Sequence, residues 1–497
     1  MSMTIGFLSV IAMLHMALAD SSCSYKGYQL LKAIPANQDH LRFIQQLARS
    51  ELLAHGEFWM RPSIPGIPVL ILAKRDVIAM VKIEFAKRNL SAQVHVTDLS
   101  RFVGPYNTSN ASKSAAYKPG MPYEAFSFDV YHPLHEIEIF YDTLIAKFPK
   151  ILSKSSVGRS YEGRQIWLLK IGEGFGGPTK QGFYLECGIH PREWISHASC
   201  LYLIAKFLLR NPVMLSTYNW YIIPVANPDG YVYSWTTDRF WRKSRSYPDG
   251  CEAFCQGKDA TTAWNRSVPV SCKACCRGVD LNRNWDINWG VTDSCPHPCC
   301  LTYAGSAAAS EPEVRAMASF LWTKRKDIAV FLAVHAYSQM WMYPYSYRKG
   351  ALPSNADLLH NISRAVIQAV DQVHGQRYRM GAAFEIMYES SGTSMDWARN
   401  TSQIPYAFSI ELRPSHLKTY ELPAFCLPEK EIVPTSEELI AAVKTLSEQV
   451  CNLQHSVETS AAPQSANAPF SFCCTRPNWI TVLLAVTMYV LVVVARE

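Results

Sequence analysis

The sequence predicts an α/β fold in which one sheet is covered by helices on both faces, because strand-like and helix-like segments alternate along most of the chain. Five apolar runs have the length of buried strands: 165–171, 182–187, 219–225, 328–334 and 405–412. Three stretches have helical periodicity: 193–209, 311–325 and 355–373. Such alternation is typical of a sheet with helices on both faces. Sheets of this kind bind ligands outside the carboxyl ends of their strands.

A smaller α+β unit is predicted before this sheet, over residues 24–100. Asn37 is placed to cap a first helix. The apolar face of that helix comprises Leu41, Ile44, Ala48 and Leu52. The rest of the unit is predicted as a strand, a helix and a last strand, at 69–72, 76–88 and 93–96. A segment rich in Asn, Ser and Ala follows at 106–118, and with the turn Pro119-Gly120 it predicts a linker.

Composition restricts the class of protein. With 497 residues and 48% apolar content, the chain can bury a large core and form more than one domain. The formal net charge of +7 is mild and no long basic run is present, so we expect no nucleic-acid partner. Fifteen cysteines indicate an oxidising compartment. Six N-x-[ST] sequons are compatible with secretion and surface glycans: Asn89, Asn107, Asn110, Asn265, Asn361 and Asn400.

Both ends of the chain carry targeting signals. The apolar run 5–18 ends in Ala17-Leu18-Ala19, which predicts a signal peptide over 1–19. A polar stalk and a hydrophobic tail are predicted at the other end, over 453–478 and 479–497. The small residues Ser465-Ala466-Asn467, the spacer and the tail predict a GPI-attachment signal. A short transmembrane anchor is the alternative, although a spanning helix needs about 20 residues. In both cases we expect an extracellular protein tethered to the membrane by its C-terminal tail.

The strongest functional signal is the segment His190-Pro191-Arg192-Glu193-Trp194. It lies where an apolar run turns into a helix-periodic stretch, and there a His and a Glu three residues apart can point at one position. The pairs His135/Glu138 and His455/Glu458 have the same spacing without that setting. A histidine from a distant strand, His335, completes a His₂Glu set. Such a set is typical of a zinc site with an open fourth position.

Further motifs follow in a fixed order. They are 239–243 (RFWRK), 280–285 (DLNRNW), 335–338 (HAYS), Tyr388, 395–397 (MDW) and 408–413 (FSIELR). Over residues 24–452 the chain resembles the pancreatic-type (A/B) zinc metallocarboxypeptidases. The resemblance implies a mixed central sheet covered by helices on both faces, preceded by an α+β pro-domain. It also implies a zymogen that binds one Zn²⁺ and hydrolyses the C-terminal residue from peptides and proteins.

The resemblance also implies a division of the chain into segments. The expected segments are a signal peptide (1–19), an inhibitory pro-domain (20–105), an activation linker (106–120), a catalytic domain (121–452), a stalk (453–478) and a tail (479–497). A Cys-rich insert lies within the catalytic domain at 246–279. A trypsin-like protease is the expected activator. Lys113 is its preferred site, because Lys118 is followed by Pro119; Arg101 is another candidate.

Roles in the chemistry carry over residue by residue from the resembling family. His190, Glu193 and His335 are the expected metal ligands. Glu411 is the expected base, since burial on a strand can raise its pKa. Arg242 would stabilise the developing oxyanion. Asp280 would accept a hydrogen bond from His190 and so orient this ligand.

A second set of residues would bind the substrate. Arg283 offers a planar fork for the terminal carboxylate, and Asn282 adds a donor. Tyr388 lies in a stretch rich in Gly and Ser and would close over the substrate. Arg192 would line the approach, and Tyr337 is a further candidate for substrate binding. Met395 matches the position that sets specificity, and its neutral thioether predicts a preference for apolar or aromatic C-terminal residues.

The cysteines and the alternatives complete the expectations. Cys276–Cys299 resembles a pair common in the family, and Cys187–Cys200 resembles one in its basic-specific branch; the other pairings stay open. An enzyme with another C-terminal specificity is one alternative. A catalytically weak protein that binds peptide C-termini is a second, and loss of a zinc ligand or of Glu411 would mark it. A disulfide-rich adhesion or receptor ectodomain is a third, but it would leave the active-site set unexplained.

Overall fold

The computed structural model describes residues 25–48, 50, 52, 56–61, 64–102, 116–172, 180–247, 276–298, 300–415 and 424–461. The predicted signal peptide, most of the linker, most of the Cys-rich insert and the C-terminal tail lie outside these residues. Within the described part of the chain, no helix is both long enough and apolar enough to cross a membrane.

Residues 25–102 form an N-terminal unit that contains an antiparallel sheet and two helices. Its strands are β1 (Tyr28–Ala33), β2 (Glu57–Met60), β3 (Val69–Lys74) and β4 (Ala92–Val96), in the order β2-β3-β1-β4. Its helices are α1 (Gln38–Ala48) and α2 (Arg75–Ala86). The predicted cap is confirmed, because Asn37 Oδ1 accepts a hydrogen bond of 2.9 Å from His40 N. The predicted helical face was too long, since α1 ends before Leu52.

The main unit, residues 116–461, contains a mixed sheet of eight strands. They are β5 (Leu152–Arg159), β6 (Gln165–Ile171), β7 (Gln181–Cys187), β8 (Tyr218–Ile223), β9 (Ile328–Ser338), β10 (Met340–Tyr343), β11 (Arg379–Ala382) and β12 (Tyr406–Ser415). Their order is β11-β10-β12-β9-β7-β8-β6-β5. The central strands β8, β7, β9 and β12 are mutually parallel, so their carboxyl ends meet at one edge.

Helices cover both faces of this sheet. They are α3 (Leu134–Lys147), α4 (Trp194–Tyr202), α5 (Pro212–Thr217), α6 (Pro228–Thr236), α7 (Pro312–Lys324), α8 (Ala356–His374), α9 (Ala383–Ile386), α10 (Ser394–Asn400) and α11 (Ile432–Ala461). The predicted helices at 311–325 and 355–373 match α7 and α8. The predicted helix at 193–209 is interrupted, because α4 ends at Tyr202 and π-helical and 3₁₀ turns follow.

The buried strands feed two hydrophobic clusters, one on each face of the sheet. In β9, Val330 and Leu332 pack into the cluster that contains residues of α4, α8 and α11. Phe331 and Ala333 point the opposite way, into the cluster that contains residues of α7 and α10. Successive side chains of a strand face opposite sides, so both faces of the sheet are buried. The predicted fold class, a mixed sheet covered on both faces, is thereby confirmed.

The last helix extends beyond the expected end of the main unit. Helix α11 continues to Ala461, whereas the stalk was expected to begin at 453. Residues 453–461 of the expected stalk are therefore helical. The boundary at 452 falls inside a regular helix, and composition alone does not mark such a position.

Aromatic contacts hold the N-terminal unit against the main unit. The Trp59 ring lies 4.8 Å from the Phe240 ring and 5.2 Å from the Phe425 ring, measured between centroids. The Tyr25 hydroxyl donates a 3.0 Å hydrogen bond to the buried carboxylate of Asp238. Charged contacts between the two units lie next to these rings, at the carboxyl edge of the sheet.

Candidate active site

Three side chains converge at the carboxyl edge of the parallel strands. His190 follows β7, Glu193 precedes α4, and His335 lies in β9. Cys187 and Val334 are partners in the β7/β9 register, so the chain delivers both histidines to the same edge. The candidate ligand atoms of the three residues lie within 4.8 Å of one another, and all three side chains are buried. Two imidazole nitrogens and a carboxylate fit Zn²⁺ with an open fourth position.

The hydrogen bonds of His190 orient its ring. Its Nδ1 lies 2.9 Å from Glu193 Oε1 and therefore faces the metal cluster. Its Nε2 lies 3.1 Å from Oδ1 of the buried Asp280. Although burial opposes ionisation, the charges of Arg242 and His190 hold the pKa of Asp280 well below its usual range. Because the carboxylate can only accept, Nε2 carries the proton and Nδ1 is left free to bind a metal.

One glycine makes the turn before His190 possible. Gly188 has φ of +69°, a conformation that favours glycine. A Cβ atom at this position would overlap the imidazole of His197. His197 is itself buried, and it was not among the predicted site residues. Its ring stabilises the start of α4 through a 3.1 Å contact between Nδ1 and the Glu193 carbonyl oxygen.

Glu411 lies beside the metal cluster on the neighbouring strand. It is the register partner of His335 in the parallel pair β9/β12. Burial raises the pKa of Glu411 to about 8, against the opposing charge of His335. Arg242 lies on the other side of Asp280, to which its Nε and Nη2 donate at 2.9 and 2.8 Å. The geometry thus places a carboxyl group and a guanidinium next to the cluster.

Arg283 and its contacts form a second group at the same edge. Its Nη2 lies 3.3 Å from the Tyr388 hydroxyl, so the predicted pair of substrate-binding residues is brought together. Asn282 Oδ1 accepts a 3.0 Å bond from Ser394 N, which orients its amide. Gly392 has φ of +70°, and a Cβ atom there would overlap the Arg283 carbonyl. This glycine lets the segment that carries Tyr388 approach the arginine.

Arg192 and Tyr337 lie at the border with the N-terminal unit. Arg192 Nη1 donates a 3.1 Å bond to Glu57 Oε1 of that unit, and both side chains are largely buried. The guanidinium also lies 4.1 Å from the centroid of the Phe425 ring. The Tyr337 ring packs edge-on against the same phenylalanine, with centroids 5.1 Å apart. These two residues of the predicted substrate-binding set therefore pack against the same ring.

Met395 is buried at the start of α10, in one apolar cluster with Met342 and Ala383. None of these three side chains carries a charge. Glu186, on β7, is an acid that the prediction did not consider. Burial raises its pKa to about 7, and neither of its carboxylate oxygens has a hydrogen-bond partner among the described residues.

The cysteines require one correction. Cys187 and Cys200 are free, buried thiols, so the pairing inferred from the resemblance is not formed. Burial raises the pKa of the Cys187 thiol well above its usual range, and a hydrogen bond with Cys200 adds to this rise. Disulfide formation needs a thiolate, which such an environment disfavours. Cys276 is in a disulfide, but Cys299 lies outside the described residues, so that pairing stays a prediction. The structure also contains a Cys295–Cys300 disulfide.

Three charged residues at the site were missed by sequence reasoning. Asp293 contacts Arg283, Glu57 contacts Arg192, and Arg61 of the N-terminal unit contacts Asp293. Asp293 follows the DLNRNW motif by a few residues, and Glu57 precedes an aromatic pair. These were the only signals in the sequence, and neither distinguishes a functional acid from a solvated one.

Comparison with known families agrees with this geometry. The profile of the family described as zinc carboxypeptidase matches residues 137–442, and that of the carboxypeptidase activation peptide matches residues 31–103. Carboxypeptidase A6 of Mus musculus is 33% identical over 466 residues, which cover 90% of this chain and 96% of the relative. Carboxypeptidase A2 of Rattus norvegicus is 32% identical, over 86% of this chain and 94% of the relative.

Solved structures lead to the same family. The crystal structure of thrombin activatable fibrinolysis inhibitor aligns with a TM-score of 0.70 and 28% identity, over 86% of this chain and 99% of that one. Carboxypeptidase A from Helicoverpa armigera aligns with a TM-score of 0.70 and 26% identity, over 85% and 98%. The chain therefore belongs to the zinc carboxypeptidase family and is a zinc-dependent metallocarboxypeptidase of the pancreatic type, made with an activation peptide.

Proposed function

We propose that the enzyme removes apolar or aromatic residues from the C-termini of peptides, with the metal cluster and Arg283 as its two functional centres. The observation that carries this proposal is the presence of both groups at one edge of the sheet. A buried guanidinium in this position can bind a terminal carboxylate, whereas an internal segment of a peptide offers no carboxylate for it. The preference for apolar residues is supported by the uncharged side chains of Met395, Met342 and Ala383.

The proposed chemistry assigns one role to each group. His190, Glu193 and His335 hold Zn²⁺, which when bound polarises the scissile carbonyl and lowers the pKa of water. Glu411 takes a proton from the attacking water and passes it to the departing amine. Arg242 stabilises the developing oxyanion, and Asp280 holds both Arg242 and His190 in place.

Substrate binding uses the second set of residues. Arg283 and Asn282 bind the terminal carboxylate, and Tyr388 closes over it. Arg192 and Tyr337 line the approach to the cleft, where Glu57 lies in the proenzyme. Met395 forms part of the pocket for the C-terminal side chain. The support for these roles is the contact of Arg283 with Tyr388 and the apolar cluster around Met395.

The decisive experiment is hydrolysis of four N-blocked peptides that differ only in a C-terminal Phe, Leu, Lys or Glu. The trypsin-treated ectodomain is assayed with and without a zinc chelator. Chelator-sensitive release of Phe or Leu is expected. Release of Lys instead would leave the proposed mechanism unchanged, but it would indicate that Glu186 rather than Met395 sets the specificity. No release from any peptide, with zinc bound, would favour a protein that only binds peptide C-termini.

Activation and location are part of the proposal. A trypsin-like protease cuts the linker, with Lys113 as the preferred site, and the ectodomain is held at the cell surface by a GPI anchor. Support comes from the composition of 106–120, of 1–19 and of the tail at 479–497. N-terminal sequencing after limited trypsin treatment identifies the cut. Release from cells by a phosphatidylinositol-specific phospholipase is expected, and retention would indicate the short transmembrane anchor.

A further inference from the structure

A chain of three charges joins the activation peptide to Arg283. Asp293 stands in the middle, and its side chain is only 7% exposed. Its Oδ2 accepts a 2.9 Å bond from Arg283 Nη2. Its Oδ1 accepts a bond from Nη1 of Arg61, which belongs to the activation peptide. One carboxylate of the catalytic domain thus bridges two guanidinium groups, and one of these leaves with the activation peptide.

The hydrogen bonds of Arg283 leave little room for another carboxylate. A guanidinium has five N–H groups. Bonds between described residues use four of them, with acceptors at Asn282 O (2.8 Å), Asp293 O (3.3 Å), Asp293 Oδ2 (2.9 Å) and the Tyr388 hydroxyl (3.3 Å). A bidentate carboxylate needs two parallel N–H groups. A substrate carboxylate must therefore displace at least one present acceptor, and Asp293 is the one with the same chemistry.

Arg61 fixes the position of Asp293 from the opposite side. Besides its bond to Asp293, its Nη2 donates a 3.2 Å bond to Thr302 Oγ1. Asp293 and Thr302 flank the loop that the Cys295–Cys300 disulfide closes, and Cys295 N bonds the Thr302 carbonyl at 3.2 Å. Arg61 therefore holds both ends of this loop. Its own side chain is 40% exposed, so its removal opens this side of Asp293 to water.

We propose that Asp293 is an internal substitute for the C-terminal carboxylate of the substrate: in the proenzyme it occupies Arg283, and Arg61 of the activation peptide holds it there. When Arg61 leaves, Asp293 keeps one charged partner instead of two and gains a solvated position to which it can move. The substrate carboxylate then replaces it on Arg283. This inference rests on the proposed role of Arg283 as the receptor for the terminal carboxylate.

The test uses the full-length proenzyme, kept uncleaved, and an N-blocked dipeptide that ends in Phe. KM is compared for the wild type, Arg61→Gln, Asp293→Asn and the double variant. Each single variant is expected to lower KM about tenfold, as expected for loss of one charge-assisted hydrogen bond. The KM of the double variant is expected to equal that of Asp293→Asn, because both substitutions interrupt the same series of contacts. Arg42→Gln removes an exposed arginine of the same unit and is expected to leave KM unchanged.

Two further arms separate this mechanism from a general loosening of the activation peptide. Glu57→Gln acts at Arg192, so its effect on KM is expected to add to that of Asp293→Asn. The effect of Arg61→Gln on KM is not expected to add to that of Asp293→Asn. After cleavage and removal of the activation peptide, the enzyme obtained from Arg61→Gln must have the kcat and KM of the wild type. This result verifies that the catalytic domain of the variant folded correctly. The fold of the cleaved Asp293→Asn variant is verified separately by its circular dichroism spectrum, which must match that of the cleaved wild type.

The outcomes are distinct. Equal KM values for Arg61→Gln and Arg42→Gln, or additive effects of Arg61→Gln and Asp293→Asn, would overturn the inference. If the cleaved wild type releases Phe in a chelator-sensitive reaction, such a result leaves the proposed function intact. If the cleaved wild type releases nothing, the proposed function itself has failed.

Discussion

The metal cluster and the proposed carboxylate-binding region, which comprises Arg283 and Arg192 with their charged partners, share one edge of the sheet but differ in the residues that contact them. Within the described part of the chain, His190, Glu193 and His335 form hydrogen bonds only with residues of the main unit. Arg192 and Arg283, in contrast, are joined directly or through Asp293 to the activation peptide. The difference predicts that the activation peptide restrains substrate binding rather than the groups proposed for the chemistry, which already lie together.

Electrostatics explains why the arginines attract these contacts. A guanidinium that is buried without a partner is costly, because it loses its hydration. Arg192 is buried at the border with the activation peptide, where Glu57 compensates its charge. The metal cluster needs no such external partner, because Glu193 and Asp280 already balance its histidines. The activation peptide therefore supplies an acid at Arg192, whereas Arg283 and the metal cluster find their acids within the main unit.

The largest effect is expected within the metal region. Glu411→Gln removes the proposed base while preserving the size of the side chain. We expect kcat of the activated enzyme to fall by about 10²–10⁴, since this is the usual contribution of general acid–base catalysis. KM and the zinc content, measured by metal analysis, should change little.

The matched control for this variant is Glu313→Gln. Glu313 is a buried glutamate of α7 that contacts Tyr161 N at 2.9 Å and belongs to neither region. Its kcat should equal that of the wild type. A Glu411→Gln enzyme with the kcat of the wild type would show that Glu411 is not the base. The metal region would then lack its proposed catalytic group.

The second effect is expected at the carboxylate-binding region. Arg283→Gln should raise KM of the activated enzyme by about 10- to 100-fold, because one or two charge-assisted hydrogen bonds to the substrate are lost. The variant should also reduce the discrimination between a peptide acid and its C-terminal amide. Arg315→Gln, which removes an exposed arginine of α7, is the control. A fall in kcat at unchanged KM would show that the two regions are not separable in this way.

A third, smaller effect tests the contact between the regions and the activation peptide. Glu57→Gln leaves Arg192 buried with a neutral partner, which weakens the docking of the activation peptide. The uncleaved proenzyme should therefore hydrolyse a small peptide about tenfold faster than the wild type. Glu84→Gln changes a partly exposed glutamate of the same unit, bonded to Lys87, and should have no effect. Equal activities of these two variants would mean that the ion pair does not restrain the proenzyme.

The metal region could be predicted from the sequence because its determinants are local. His190 and Glu193 are three residues apart at a strand end, and His335 and Glu411 lie on apolar runs whose strand character is evident. Their alignment then follows from the parallel pairing of β9 and β12, which puts these two residues opposite each other. The periodicity of the central strands is strong because they are buried on both faces.

The contacts of the carboxylate-binding region could not be predicted in the same way. Asp293 lies in a loop without periodicity, and its partner Arg61 is 232 residues away in another unit. Glu57 meets Arg192 across the same border. Such contacts depend on how two units dock, which local patterns do not encode. The short strands β10 and β11, at one side of the sheet, were missed for a different reason, because four residues carry too little periodicity to predict a strand.

The smallest effect concerns stability outside both regions, at Glu313. Burial raises the pKa of this carboxyl to about 8 from a usual value of 4.5. Between these values the unfolded chain loses the proton while the folded protein keeps it, so the free energy of unfolding falls as pH rises from about 4.5 to 8. Because glutamine does not ionise, the Glu313→Gln variant does not lose stability in this way as pH rises. The variant should melt close to the wild type at pH 5 and about 2–4 °C higher at pH 8, as measured by calorimetry. We expect kcat and KM of this variant to stay unchanged, so the result would separate an effect of burial on stability from the functional differences between the two regions. If the melting temperatures of the variant and the wild type instead differ by the same amount at pH 5 and pH 8, the ionisation of Glu313 does not contribute to stability.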